Sequence, residues 1–283
     1  MTIGEWLRHA KDALAESGCP DPQIDSRWIA EDTLGLSRSE MHFETDRSLS
    51  PEEHERLEAL LQRRVQGEPV QYLLNSACFM GLNFYVDSRV LIPRQDTETL
   101  VEAVIVALRQ LEKPRMLDLC AGSGAIGLSV KTLVPGADVT LADCSRDALE
   151  VVRENARRLG VDVEIRHGDL FHAVWHQKFD LIASNPPYIP SAVIEELEPE
   201  VRDHEPRGAL DGTADGLYFY RILAEECAKH LTPGGHVYFE IGYDQGMAVK
   251  ELLDNHGFKD TRVIQDLTGK DRVVCGTWQT TGV

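Results

Sequence analysis

Asn185-Pro186-Pro187-Tyr188 follows the apolar run Phe179-Asp180-Leu181-Ile182-Ala183-Ser184, which reads as a buried strand. The Asn185 side-chain oxygen and the Pro186 carbonyl can accept the two hydrogens of a planar NH2 group. Pro187 restricts Pro186 to extended geometry, so the carbonyls stay aimed. The Tyr188 ring offers a face to a flat group or a cation. Such a lip suits an amide or an aromatic amine, whose delocalised lone pair makes it a poor nucleophile. Methylating that nitrogen requires both hydrogens to be gripped and the lone pair to be turned toward the donor. Asn185 and Tyr188 are the candidate catalytic residues, and Asn185, Pro186, Pro187 and Tyr188 the candidate substrate-binding residues. The bland alternative is a proline-rich turn that only ends a strand.

A second constellation surrounds Gly122-Ser123-Gly124-Ala125-Ile126-Gly127, a G-x-G-x-x-G loop between an apolar strand and a helix. That pattern commonly cradles a dinucleotide. Here the strand carries Asp118 just before the loop, and a carboxylate there repels a pyrophosphate and attracts a cation. S-adenosylmethionine has no phosphate and carries a sulfonium and an ammonium, so it suits this loop better than NAD. Asp143, at the end of the next strand, stands where a carboxylate can hold both ribose hydroxyls. Asp169, after the third strand, is placed for the adenine amino group. Each aspartate alone also fits a turn or a helix N-cap. Three at successive strand ends around one glycine loop point to one ligand. The ten histidines form no H-E-x-x-H cluster and the six cysteines no C-x-x-C pair, so no metal is expected.

The charge balance bears on partners. With 47 acidic against 29 basic residues the formal net charge is −18. Nucleic-acid binders gain affinity from basic patches on phosphates, so direct nucleic-acid binding is not expected, and a basic protein partner is the more natural one. Acidity that only aids solubility is the alternative. No apolar stretch reaches membrane-spanning length, the amino terminus is not a secretory signal, and the scattered cysteines read as reduced thiols. A cytoplasmic protein is expected, with no membrane association.

The elements that must position these groups read as two regions and a joint. Residues 1–75 carry helix starts at Thr2 with Glu5, Asp21-Pro22, Ser37 with Glu40, and Ser50-Pro51, which make a small bundle. Residues 76–96 are expected to hold two short strands around a turn at Asp87-Ser88, and 97–283 the catalytic domain. From about residue 114 strands and helices alternate. Strands are predicted at 116–119, 139–142, 161–165, 181–183, 236–241, 262–265 and 272–277, with helices between, except between the last two, which should pair as a hairpin. The fold class is α/β: a doubly wound, mostly parallel, seven-stranded Rossmann-like sheet with a terminal antiparallel hairpin, plus an N-terminal helical bundle.

Taken together, the chain resembles the HemK/PrmC family of protein-glutamine methyltransferases. The resemblance is carried by Gly67-Glu68-Pro69-Val70-Gln71-Tyr72, Phe79 through Val86 with Val90-Leu91-Ile92-Pro93-Arg94, Asp118-Leu119-Cys120-Ala121-Gly122-Ser123-Gly124, Ser184 through Tyr188, His204-Glu205-Pro206-Arg207, Glu240-Ile241-Gly242-Tyr243-Asp244-Gln245 and Asp266-Leu267-Thr268-Gly269-Lys270-Asp271-Arg272. It implies methyl transfer from S-adenosyl-L-methionine to a glutamine side-chain amide, leaving S-adenosyl-L-homocysteine. The implied substrate is the Gly-Gly-Gln motif of class I peptide-chain release factors. By position, Asp118, Cys120, Ala121, Gly122, Ser123, Gly124, Asp143, Asp169, Leu170 and Asn185 would bind the cofactor, and residues 185–188 the glutamine. The helices of 1–75 would recognise the protein substrate. Arg94, Thr97 and Glu98 would help shape the substrate channel, or Arg94 and Glu98 form a structural ion pair. Gln95 departs from the family's usual proline, and residues 211–216 differ slightly from its glycine-richer run. A related branch methylates a ribosomal-protein glutamine, and adenine-N6 methyltransferases of nucleic acids share the N-P-P-Y lip. A non-catalytic cofactor-binding module is the remaining alternative.

Overall fold

Helices begin where the sequence supplies caps. Thr2 and Glu5 exchange hydrogen bonds, 3.2 Å from Glu5 N to the Thr2 hydroxyl and 2.8 Å from Thr2 N to the Glu5 carboxylate, ahead of α1 (Ile3–Glu16). The Asp21 side chain makes no cap bond, so α2 (Pro22–Leu34) starts on its proline. Capping boxes at Ser37 with Glu40 and Ser50 with Glu53 open α3 (Arg38–Phe43) and α4 (Pro51–Val65). A fifth helix that the sequence reading lacks, α5 (Val70–Leu74), buries Val70, Tyr72 and Leu73.

The computed structural model describes residues 1–279, so the last four residues of the expected 97–283 domain lie outside the described residues. The chain divides into two compact units, Met1–Ser76 with Glu198–His204, and Ala77–Leu197 with Glu205–Val283. The first unit closes around Trp6, Leu14, Ile29, Leu57 and Leu61. Within it, buried Arg64 donates to Asp25 at 2.7 Å and to Glu200 at 2.7 Å.

In the second unit β1 (Ala77–Phe79) and β2 (Leu82–Phe84) pair antiparallel. Their turn is Met80-Gly81, with φ of 52° and 71°, and not Asp87-Ser88. Positive φ at both central residues matches the right-handed twist of a tight hairpin, which Gly81 makes cheap. Asp87 instead accepts from Arg89 and from the Tyr85 hydroxyl. After α6 (Glu98–Leu108), strands and helices alternate: β3 (Arg115–Leu119), α7 (Ala125–Leu133), β4 (Asp138–Asp143), α8 (Arg146–Leu159), β5 (Glu164–His167) and β6 (Phe179–Ser184). The short helices α9 (Ser191–Ile194) and α10 (Pro199–His204) follow, then α11 (Tyr218–His230), β7 (Leu231–Glu240), α12 (Gly246–Asn255), β8 (Lys259–Gln265) and β9 (Asp271–Thr277).

The sheet has seven strands in the order β5-β4-β3-β6-β7-β9-β8. Strands β3 to β7 run parallel, and β9 pairs antiparallel with both β7 and β8. The edge strand β5 begins three residues later than 161–165. Its register, Thr140 with Glu164 through Asp143 with His167, carries it level with the end of β4. Val161 and Val163 instead pack against the core. Alternate strand residues face two cores: Met116, Leu181 and Ala183 with α6, α7 and α8, and Leu117, Ile182 and Phe239 with α11 and α12.

Candidate active site

Strand order reverses between β3, which leads outward to β4 and β5, and β6 on its other side. Ligands of open α/β sheets bind in the crevice outside such a switch point. A cavity of about 290 Å³ lies here, lined by Cys120, Ala121, Gly122 and Ser123 of the glycine loop, Asp143 after β4, Asp169 and Leu170 after β5, and Asn185 and Pro187 after β6. Nine of the thirteen candidate cofactor- and substrate-binding residues thus line one cavity. Four do not line it: Asp118, Gly124, Pro186 and Tyr188.

Asp118 differs most from the expectation of a cation-facing carboxylate. It is fully buried beneath the loop, where its Oδ2 accepts the Gly127 N–H at 2.8 Å and its Oδ1 has no partner. Burial pushes its carboxyl up to about 7, opposed by the Gly127 bond and assisted by the Asp143 charge. Gly127 is required by this contact, since a Cβ there would stand 2.9 Å from Asp118 Oδ2 and from Leu141.

Asp143 ties the loop to β4. Its Oδ2 accepts Gly122 N at 2.9 Å and its Oδ1 accepts Ser145 N at 2.8 Å. From α8, buried Asn155 donates to Ser123 O at 2.9 Å and to Tyr85 O at 3.0 Å, and accepts Tyr85 N at 2.7 Å. This anchorage tests which nucleotide fits. The Gly122 amide, which a pyrophosphate would need, is spent on a carboxylate that also presents negative charge to the cavity. With Asp169 lining the same cavity, these acceptors fit a cationic, phosphate-free cofactor such as S-adenosylmethionine.

The lip after β6 is braced from behind. Ser184 Oγ donates to Leu119 O at 2.7 Å. Gln245 Nε2 donates to Tyr188 O at 3.0 Å while its Oε1 accepts Gly242 N at 2.9 Å. Ile189 N bonds Leu210 O at 3.0 Å and Gly212 N bonds Ile189 O at 2.8 Å. Burial, and next the Glu240 charge, push the Tyr188 phenol up, so it stays neutral.

Arg94 and Thr97 line the cavity, whereas Glu98 does not. The ion pair weighed for Arg94 and Glu98 is not formed: Arg94 pairs with buried Glu205, and Glu98 accepts Met80 N at 2.6 Å at the hairpin turn. A charge that caps a tight turn nearby leaves Arg94 free to take the carboxylate on the 205–209 loop. The sequence reading also missed wall residues with no charge to mark them, among them Val90, Leu91, Ala209 and Phe219. It gave no role to Glu240, although an acid inside the apolar run 237–241 is itself a signal.

Fold, glycine loop and acidic strand ends together define an S-adenosylmethionine-dependent methyltransferase. The described part of the chain resembles a solved methyltransferase from Pyrococcus furiosus with a TM-score of 0.52 and 19% identity, covering 71% of this chain and 91% of that one, a likeness of fold. Residues 95–196 match the methyltransferase small domain family and residues 5–74 the PrmC N-terminal domain family. The release factor glutamine methyltransferase of Caulobacter vibrioides is 43% identical over 278 residues, 98% of this chain and 96% of that protein. That of Geobacter sulfurreducens is 40% identical over 275 residues, 97% and 96% of the two chains. The chain belongs to the release factor glutamine methyltransferase family.

Proposed function

We propose that this enzyme methylates the side-chain amide nitrogen of the glutamine in the Gly-Gly-Gln motif of class I release factors, in the cytoplasm and without a metal. Near full-length similarity to release factor glutamine methyltransferases supports the substrate class. The observation that carries the chemistry is that Asn185 and Pro187 line the same cavity as Asp143 and Asp169. Bound S-adenosylmethionine supplies an activated methyl group, so the protein needs no nucleophile of its own.

In this reading Asp143 holds the ribose and Asp169 and Leu170 border the adenine, while Cys120 to Ser123 line the cofactor side of the cavity and Asp118 holds that loop in place. Asn185 Oδ1 and the Pro186 carbonyl accept the two amide hydrogens, which keeps the nitrogen lone pair pointed at the donor. Tyr188, held neutral, packs its ring against the amide. Alignment of this kind removes about 7–11 kcal/mol of barrier in favourable cases. The transferred methyl leaves the nitrogen with one proton too many, and that acidic proton departs to solvent. The helices of Met1–Ser76 recognise the release factor beyond the short glutamine loop.

The test incubates the purified chain with radiolabelled S-adenosylmethionine and, in parallel, a class I release factor, ribosomal protein or DNA. Label on the release-factor glutamine is expected, and label confined to either other substrate overturns the proposal. Asn185→Ala removes one acceptor of a buried hydrogen bond worth about 1–3 kcal/mol, so kcat should fall roughly tenfold to a hundredfold while the cofactor still binds. A kcat near that of the unaltered enzyme sinks the gripping role.

A further inference from the structure

Glu240 ends β7, beside β6. The parallel register pairs Ala183 with Tyr238 and Ser184 with Phe239. The next step along both chains sets Asn185 opposite Glu240, and alternation puts both on the face that Ala183 and Tyr238 share. Glu240 is only 1% exposed, does not line the cavity, and its Oε2 is buried without a hydrogen-bond partner. Its backbone is fixed by the Tyr220 hydroxyl, which donates to the Glu240 carbonyl at 2.6 Å. Arg272, across in β9, is engaged by Asp96 at 2.9 Å and Asp266 at 3.3 Å. Thr97 and Asn185 are uncharged polar side chains that interact with the carboxyl.

An asparagine that accepts a substrate hydrogen must be held one way round, since its amide presents oxygen and NH2 at nearly the same places. We propose that Glu240 is a positioning residue for Asn185: its carboxylate takes the Asn185 NH2 group, which turns the Asn185 oxygen into the cavity. This rests on the reading of Asn185 as the acceptor of the glutamine amide hydrogens. A buried carboxylate oxygen is a strong acceptor with no donor function, so it selects one of the two amide orientations. Because Glu240 is sealed behind Asn185 at 1% exposure, it acts through Asn185 and not on the substrate proton. Protonated Glu240 would instead donate to the Asn185 oxygen and favour the reversed amide. Burial, with Asp96 adding and Thr97, Arg272 and Asn185 opposing, pushes the Glu240 carboxyl up to about 7. The neighbouring phenols of Tyr188 and Tyr220 are pushed above their ordinary value and stay neutral there. The active, ionised form is therefore lost as pH falls through about 7.

The experiment measures kcat against pH for the unaltered enzyme, Glu240→Ala and Glu240→Gln, with cofactor affinity by calorimetry. Loss of the oriented acceptor should lower kcat of Glu240→Ala about tenfold or more, with cofactor affinity unchanged within about twofold. Glu240→Gln keeps an oxygen for the Asn185 NH2 and does not titrate, so it should recover much of kcat and lose the fall on the acid side. A Glu240→Ala enzyme with undiminished kcat, or a Glu240→Gln enzyme that keeps the acid fall, overturns the proposal. Should Glu240→Ala fail to fold, the Glu240→Gln profile decides. Nuclear magnetic resonance of the Asn185 side-chain amide gives a readout independent of turnover. It should titrate with pH in the unaltered protein and not in Glu240→Gln, and an amide that titrates alike in both refutes the contact. Absence of glutamine methylation by the unaltered enzyme would instead sink the proposed function, while the amide resonance still decides the role of Glu240.

Discussion

Asp118 pairs a fully buried carboxylate with a single backbone donor, and its second oxygen is left without a partner. The folded protein therefore binds a proton here more tightly than the unfolded chain does, with the carboxyl raised from 3.8 to about 7. For a raised carboxyl the sign is unambiguous. The contribution is present at low pH and is lost as pH climbs from the unfolded value to the folded one. At about 1.4 kcal/mol for each tenfold change in proton affinity, the loss is on the order of a few kcal/mol. Asp118→Asn keeps an oxygen for Gly127 and removes the charge. Its unfolding free energy in the cofactor-free state should fall less between pH 5 and pH 8 than that of the unaltered protein, and the variant should be the more stable at pH 8. Denaturant titrations at the two pH values check this, and an equal fall in both proteins would refute the raised carboxyl. Some pH dependence should remain, because Glu240 is raised in the same way.

The lip depends on a neighbouring element as much as on its own four residues. The 207–216 loop lies so close behind it that a Cβ at Gly212 would stand 2.7 Å from both Cα and C of Tyr188. All of those atoms are backbone, so relief requires the loop and the lip to shift relative to one another. Displacement of a reacting geometry by about 1 Å can cost a hundredfold in rate. Gly212→Ala should therefore lower kcat at least about tenfold while leaving cofactor affinity nearly unchanged, since Gly212 does not line the cavity. Unaltered kinetics in a folded Gly212→Ala enzyme, checked by circular dichroism, would show that the loop does not set the lip. Residues 211–216 read from sequence as a small departure from a glycine-richer run. Their importance comes from proximity to Tyr188, which no spacing in the chain discloses.

The molecule joins distant chain segments through buried charge. Arg64 of α4 is 4% exposed and pairs with Asp25 of α2 and with Glu200, so Glu198–His204 belongs to the same unit as the amino-terminal helices. Replacing one partner of a buried ion pair leaves the others uncompensated, at about 3–5 kcal/mol. Arg64→Met should lower stability by that order in thermal or denaturant unfolding, and adding Asp25→Asn should recover part of it. A single variant as stable as the parent would refute the network's role. The expected boundary at residue 75 missed this return of residues 198–204, because Arg64 and Glu200 are 136 positions apart.

What could be read in the chain is what depends on local chemistry. Capping boxes at Thr2, Ser37 and Ser50 start helices because cap and acceptor lie three residues apart. Alternating strands and helices imply a parallel sheet, and acids at successive strand ends imply a ligand edge, because a parallel sheet brings those ends side by side. The Met80-Gly81 turn was missed because φ at Met80 is positive, which propensity does not favour. Whether a side chain faces the cavity or lies beneath it is a matter of packing. Asp118 and Asp143 both read from sequence as acids facing the cofactor, yet one is sealed under Gly127 and the other lines the cavity. The alignment of Glu240 with Asn185 likewise exists only through the register of β6 and β7. Pairing across strands is fixed by hydrogen bonds between segments far apart in the chain, and only the folded molecule contains them.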